Sequence, residues 1–137
     1  MDHTDEKIIE ILKENGNEPN TAIAKRVGLS EAAVRKRIAN MLADGTIRRF
    51  TVELGGKAAI SALVLVAVDA HHPSEKVAAQ IERLKGVSSL YELSGNYDMA
   101  VLIEGPNAEA INSAVDHIRN LPHVAGTDTR MVLKKWK

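Results

Sequence analysis

Cysteine is absent from the 137-residue chain. That removes disulfides, thiolate-bound zinc or iron–sulfur sites and a cysteine nucleophile together, and gives no sign of an oxidising compartment. Aromatic residues are nearly absent too. Phe50, Tyr91, Tyr97 and Trp136 are the whole complement, too few for a surface that grips single strands by base stacking. Long hydrophobic runs are missing: the most apolar stretch, Ala58 to Val68, is interrupted by Ser61 and ends at Asp69. It falls well short of the roughly 20 residues that span a bilayer. The opening Met1-Asp2-His3-Thr4-Asp5-Glu6 is acidic, unlike the basic lead of a secretory signal. A soluble, cytoplasmic protein with no membrane partner is expected. No Gly-x-Ser-x-Gly, P-loop or His-Glu-x-x-His pattern occurs, so neither an enzyme of those classes nor a bound cofactor is expected.

What is present is ordinary in bulk and uneven in detail. Hydrophobic residues make up 45% and charged residues 26%, with Lys+Arg and Asp+Glu equal at 18 each. These are globular values, and the length suits one compact domain or two small ones. The zero net charge is unevenly laid out. Met1 to Ala24 holds Asp2, Asp5, Glu6, Glu10, Glu14 and Glu18 against Lys7 and Lys13. Lys25 to Arg49 reverses the sign, with Lys25, Arg26, Arg35, Lys36, Arg37, Arg48 and Arg49 against Glu31 and Asp44. The remainder is nearly neutral. A local basic zone is what a phosphate backbone selects, because neutralised phosphates release counterions. A solvated helix face would look the same in composition.

The geometry of the segment separates the two. Asp2 and Asp5 have the spacing of a capping box, and Ile8, Ile11 and Leu12 follow as an apolar stripe. Asn15-Gly16 predicts a stop by positive φ. Pro19 opens a second helix, about 20–27, with Ile23, Ala24 and Val27 inward. Gly28 supplies a left-handed turn, Leu29 plugs the angle, and Ser30 caps a third helix reaching about Ala43. On that helix Val34, Ile38, Met41 and Leu42 share one face. Ala32, Lys36 and Asn40 point the opposite way, flanked by Ala33 and Ala39, with Arg35 and Arg37 on the shoulders. Small side chains beside long cations and an amide suit entry into a major groove about 12 Å wide. Asp44-Gly45-Thr46 then predicts a turn into a strand, 47–52. It reads as a wing in which Ile47 closes the core while Arg48 and Arg49 lie near phosphates.

Asp2-x-x-Asp5, Ile8-Ile9-x-x-Leu12, Ile23-Ala24-Lys25-Arg26-Val27-Gly28-Leu29-Ser30 and Val34-x-x-Arg37-Ile38-x-x-Leu42-x-x-x-Gly45-Thr46-Ile47 form one ungapped pattern. It resembles the DNA-binding half of the leucine-responsive regulatory protein/AsnC (feast/famine) family. Two departures stand out: Asn17 where a basic residue is common, and Pro19 where a hydroxyl cap is usual. The expected interface with double-stranded DNA comprises Lys25, Arg26, Ser30, Ala32, Ala33, Arg35, Lys36, Arg37, Asn40, Arg48 and Arg49. Arg37, on the shoulder, is left between a phosphate contact and a brace within the motif.

From Ile60 the period changes. Residues 62–68 read as a buried strand, Pro73-Ser74 as a helix start, and 87–93 and 99–103 as strands joined at Gly95-Asn96. Asn107 caps a helix ended by Pro122, and 124–133 supplies the last strand. The order is β-α-β-β-α-β, the ferredoxin-like arrangement. The expected fold is therefore α+β, with a winged helix-turn-helix domain over 1–55 and a ferredoxin-like domain over 56–137. Two helices cover one sheet face, and Val and Leu on both faces of the first strand leave the other apolar, a surface for a second copy. The second half is similar to the family's ligand-responsive domain. The resemblance implies a homodimer packed sheet against sheet, with an octamer of four dimers as the larger assembly.

Ser94-Gly95-Asn96-Tyr97-Asp98 lies between two strands. Gly95 can bare neighbouring N–H groups, Asp98 offers a carboxylate and Tyr97 an amphipathic wall, which together suit the two ends of a free amino acid. Spacing alone favours a hairpin turn in which Asp98 merely bonds the backbone. The resemblance implies the first, since Gly95-x-Tyr97-Asp98 matches the family's effector motif. With a weaker match it adds Thr127 and Thr129, so the implied effector set is Ser94, Gly95, Tyr97, Asp98, Thr127 and Thr129. Adjacent His71 and His72 point to different sides of a loop and predict no metal, and His117 and His123 read as helix-end cations. The function expected is a sequence-specific transcription regulator modulated by a small effector. Two other classes share the architecture: a sirohaem-decarboxylase-like enzyme and a ligand-insensitive, chromosome-organising DNA binder.

Overall fold

The computed structural model describes residues 1–53 and 59–137. The boundary expected at residues 55–56 lies outside the described residues. The chain divides into two compact units, Met1–Leu54 and Gly55–Lys137.

The first unit holds three helices, α1 (His3–Glu14), α2 (Asn20–Val27) and α3 (Glu31–Ala43). Asp2 caps α1 by accepting from the N–H groups of Thr4 and Asp5, and the Asp5 side chain accepts in return from the Asp2 N–H, completing the capping box. Two of the donors a helix start leaves orphaned are thereby satisfied. Helix α1 stops at Asn15, as expected, but by a different device. Asn15 is extended at φ −145°, and neither it nor Gly16 has positive φ. The Asn15 N–H still reaches the Ile11 carbonyl, and its side chain accepts from the Asn17 N–H, so the turn is closed without a left-handed residue. Gly28 does adopt φ +73°, ending α2. The Ser30 side chain accepts from the Ala33 N–H to start α3.

Ile8, Ile11, Ile23, Ala24, Val34 and Met41 form the core of this unit, with Leu29, Ile38 and Ile47 packed against it. Each fully buried Ile, Val or Met contributes about 1.5–3 kcal/mol, so this cluster is a main source of cohesion among the three helices. Leu42, expected inward, is 40% exposed. The wing strand expected over 47–52 is not formed: none of residues 44–53 lies in a strand. Ile47 closes the core as foreseen, and its N–H reaches the Met41 carbonyl at 2.8 Å. A strand needs a neighbour to complete its ladder, and among the described residues of this unit there is no second one.

The second unit runs β1 (Ile60–Val68), α4 (Ser74–Ile81), β2 (Val87–Glu92), β3 (Met99–Gly105), α5 (Ala108–Arg119) and β4 (Val124–Met131). The strands lie in the order β2-β3-β1-β4 and every neighbouring pair is antiparallel. That is the ferredoxin-like topology, with its two outer strands each reached by a crossover. Strand ends differ from expectation by up to two residues. Ala62, Val64 and Val66 of β1 meet Met99, Val101 and Ile103 of β3 and Val77, Ile81, Ile111, Val115 and Ile118 of the helices in one buried cluster. Residues opposite one another in a ladder share a face. The alternate positions Leu63, Leu65 and Leu102 therefore occupy the other face with Ala100, Tyr91, Asp128 and Arg130. Leu63, Leu65 and Leu102 are half-buried and Tyr91 is exposed.

Candidate functional site

Helix α3 buries Val34 and Met41 and exposes Ala32, Arg35, Lys36, Ala39 and Asn40, with Ala33 half-buried. The face expected to meet DNA is thus the solvent face, because the apolar positions recur at the helical period and claim the other side. Ser30, spent on the cap, marks where that face begins.

The seven bases of the cationic zone fall into two groups. Lys25, Lys36, Arg48 and Arg49 are exposed and make no ion pair among the described residues. The three others are engaged. Arg35 pairs with Glu31 one turn back on its own helix. Arg26 lies 3.7 Å from Glu14 and lines a groove between α1 and α2 with Glu6, Glu10 and Val27. Arg37 donates from Nη1 to Asp2 Oδ2 and Asp5 Oδ1, both at 2.8 Å. Backbone N–H donors first and the Arg37 guanidinium second hold the Asp2 and Asp5 carboxyls below the usual carboxylate range. Asp5, then Asp2, raises Arg37 in return. The spacing of Asp2 and Asp5 revealed the cap but not the tie to α3, which joins residues 32 and 35 positions apart.

In the second unit the loop between β2 and β3 lies at the end of the sheet where β1 finishes. Gly95 takes φ +110°, and Ser94 and Gly95 are exposed while Tyr97 and Asp98 are half-buried. Asp98 is woven into the backbone. Its Oδ2 accepts from the Val68 N–H at 2.7 Å, its N–H donates to the Val66 carbonyl, and its carbonyl accepts from Leu93. Tyr97 lies within electrostatic reach of Arg130, which is paired with Asp128.

Thr127 and Thr129 stand opposite Val66 and Val64, so they share the helix-covered face, and Arg119 of α5 donates to the Thr127 hydroxyl. Asp128 and Arg130, between and beyond them, occupy the apolar face instead. Strand parity makes this legible once the register is known.

His72 and His123 stack with ring centroids 3.6 Å apart. His123 lies 3.5 Å from Asp69, so the helix-end reading of His123 missed its ring partner. Among the described residues no three His, Asp or Glu side chains are placed to hold a metal ion.

A three-helix unit with a basic, solvent-facing third helix, followed by a ferredoxin-like unit, defines a two-part DNA-binding regulator with a sensory half. Family comparison agrees. Residues 1–42 match the AsnC-type helix-turn-helix domain and residues 61–137 match the Lrp/AsnC ligand binding domain. The chain belongs to the Lrp/AsnC family of transcriptional regulators. It is 40% identical to the HTH-type transcriptional regulator LysM of Saccharolobus solfataricus, across 99% of this chain and 96% of that one. It is 36% identical to the HTH-type transcriptional regulator FL11 of Pyrococcus abyssi, across 100% and 92%. Among solved structures, the Neisseria meningitidis regulator NMB0573 in complex with L-Met matches with TM-score 0.83 and 25% identity, over 100% of this chain and 92% of that one. No helix among the described residues is long and apolar enough to cross a membrane.

Proposed function

We propose that the chain reads duplex DNA through α3, and that a small effector, an amino acid, modulates that reading from the second unit. The observation that carries the first half is that Lys25, Lys36, Arg48 and Arg49 are exposed with no ion pair among the described residues, in the same unit as the solvent face of α3 that carries Ala32 and Asn40. Lys25, Arg48 and Arg49 would sit on phosphates and fix register, while the small residues, Lys36 and Asn40 would lie against base edges. A homodimer joined through the apolar sheet face of Leu63, Leu65 and Leu102 would set two copies of α3 in successive major grooves, about one helical turn apart. Further joining of dimers, to four in an octamer, is part of the same reading, as is action in the cytoplasm.

The effector half is supported by the ligand-binding family match over residues 61–137 and by the L-Met bound to the meningococcal relative. Ser94, Gly95, Tyr97 and Asp98 are its proposed contacts, with Thr127 and Thr129 behind the strand. A ligand that separates the two DNA-binding states by about 1–3 kcal/mol shifts affinity 5- to 150-fold.

Mobility shifts on the protein's own promoter test this. Binding should fall steeply from low to moderate salt, and Lys36→Glu should weaken it at least about 10- to 100-fold. Parental binding by Lys36→Glu would overturn the assignment of α3. Calorimetry with the twenty amino acids should give heat for at least one of them, lost in Asp98→Ala. Binding without sequence preference, and no heat from any amino acid, would favour a chromosome-organising role instead.

A further inference from the structure

Arg37 stands apart from the other bases of α3. Lys36 has no ion partner among the described residues, and Arg35 pairs within its own helix. Arg37 instead reaches the beginning of α1, and the two carboxylates that receive it divide their oxygens in the same way. Asp2 gives Oδ1 to the N–H groups of Thr4 and Asp5 and Oδ2 to Arg37. Asp5 gives Oδ2 to the Asp2 N–H and Oδ1 to Arg37. Each carboxylate thus secures its own helix end with one oxygen and the neighbouring helix with the other. The Asp5 side chain is 14% exposed and that of Arg37 32%, so the junction is shielded compared with the other pairs of this unit.

We propose that Arg37 is a positioning residue that clamps the middle of α3 to the capped start of α1, and that it makes no phosphate contact. The inference rests on the DNA reading above and refines it. Two carboxylates around one guanidinium leave a local charge of the sign that repels phosphate, so Arg37 adds nothing to the cationic surface. What it adds is orientation. Val34 and Met41 of α3 share a buried cluster with Ile8 and Ile11 of α1, and such apolar contacts resist separation without being directional. A charge-assisted bond to two fixed oxygens is directional and sets the angle at which the exposed face is presented.

The two roles predict opposite signs for one substitution. Asp5→Asn keeps a cap acceptor and removes the better shielded of the two charges that restrain Arg37. If Arg37 is a clamp, Asp5→Asn and Arg37→Gln each weaken binding to a promoter duplex by a similar, about 2- to 5-fold, factor. Their double variant is then no weaker than either, and the dependence of log affinity on log salt keeps the parental slope. If Arg37 contacts phosphate, Asp5→Asn frees it and binds more tightly, while Arg37→Gln flattens the slope by about 0.9; either result overturns the proposal.

Arg37→Lys serves as the second variant should Arg37→Gln fold poorly. It keeps the charge but not the fork, so a clamp predicts weakened binding at the parental slope, and parental affinity overturns the proposal. Parental affinity in both Asp5→Asn and Arg37→Gln, with the parent binding normally, overturns this role alone. A parent that fails to shift duplex, or a Lys36→Glu variant that binds like the parent, overturns the DNA reading and this role with it.

Discussion

Helix α3 and the β2–β3 loop offer their polar groups in opposite conditions. On α3 the functional candidates Lys36 and Asn40 are exposed, and Lys36 is unpaired among the described residues. In the loop the most distinctive candidate, Asp98, is engaged at three backbone points. The difference is the one the proposed partners would call for. A polyanion is attracted by charge left uncompensated on a rigid element, at little risk to the fold because water solvates it meanwhile. A small ligand needs donors held in place, and holding them requires hydrogen bonds of their own. The bonds of Asp98 to Val66 and Val68 tie the end of β1 to the start of β3.

The largest expected effect uses that contrast on stability alone. Asp98→Ala leaves the half-buried Val68 N–H without its acceptor, so the second unit should lose about 1–3 kcal/mol. Lys36→Ala touches no partner and should stay within about 0.5 kcal/mol of the parent. Urea unfolding of both variants checks this. Equal losses would erase the distinction between a structural and a free candidate. The same result conditions the calorimetry above, since a ligand signal lost in Asp98→Ala must be read beside its stability.

A second test ranks the cations. Lys25→Gln, Arg48→Gln and Arg49→Gln should each lower the salt slope of DNA binding by about 0.9. Arg26→Gln and Arg35→Gln should lower it less, because each guanidinium is already engaged by a carboxylate, Glu14 or Glu31, and neutralises less phosphate. Slopes that fall alike for all five would show that the pairs open on contact with DNA.

These residues also show how far sequence reading reaches. The helices of the first unit were legible because capping, period and Gly28 act within four residues of one another. The apolar run 62–68, the turn at Gly95-Asn96 and the helix starts at Pro73-Ser74 and Asn107 are local signals too, and their order gave the topology of the second unit. The missing wing strand marks a limit: a strand requires a partner, and a pattern of alternating residues does not supply one. The Arg37 clamp was invisible at the level of its geometry, since Asp2 and Asp5 are more than thirty residues away. Asp98 was found by motif, but its bond to Val68 depends on the pairing of β1 with β3. Thr127 and Thr129 were placed on the right strand; only the register with Val66 and Val64 fixes which face they occupy.

The smallest expected effect separates the two units by their response to acid. Asp2 and Asp5 are held below their ordinary value, by backbone donors and then Arg37. Their contribution is complete above about pH 3.9 and is lost as pH falls through the depressed value. His72 is lowered too, by burial first, then by His123 and Lys76, with Asp69 opposing. Its neutral form is the one the fold favours, so the second unit should begin to lose stability as pH drops below about 6.5 and go on losing it down to the lowered value. Amide exchange followed from pH 7 to 3 should therefore show β1 and β4 loosening before α1 does. His72→Asn should flatten the first phase, and Arg37→Gln should flatten the second. Loosening of α1 ahead of the sheet would mean that the carboxylate clamp is weaker than its two short bonds imply.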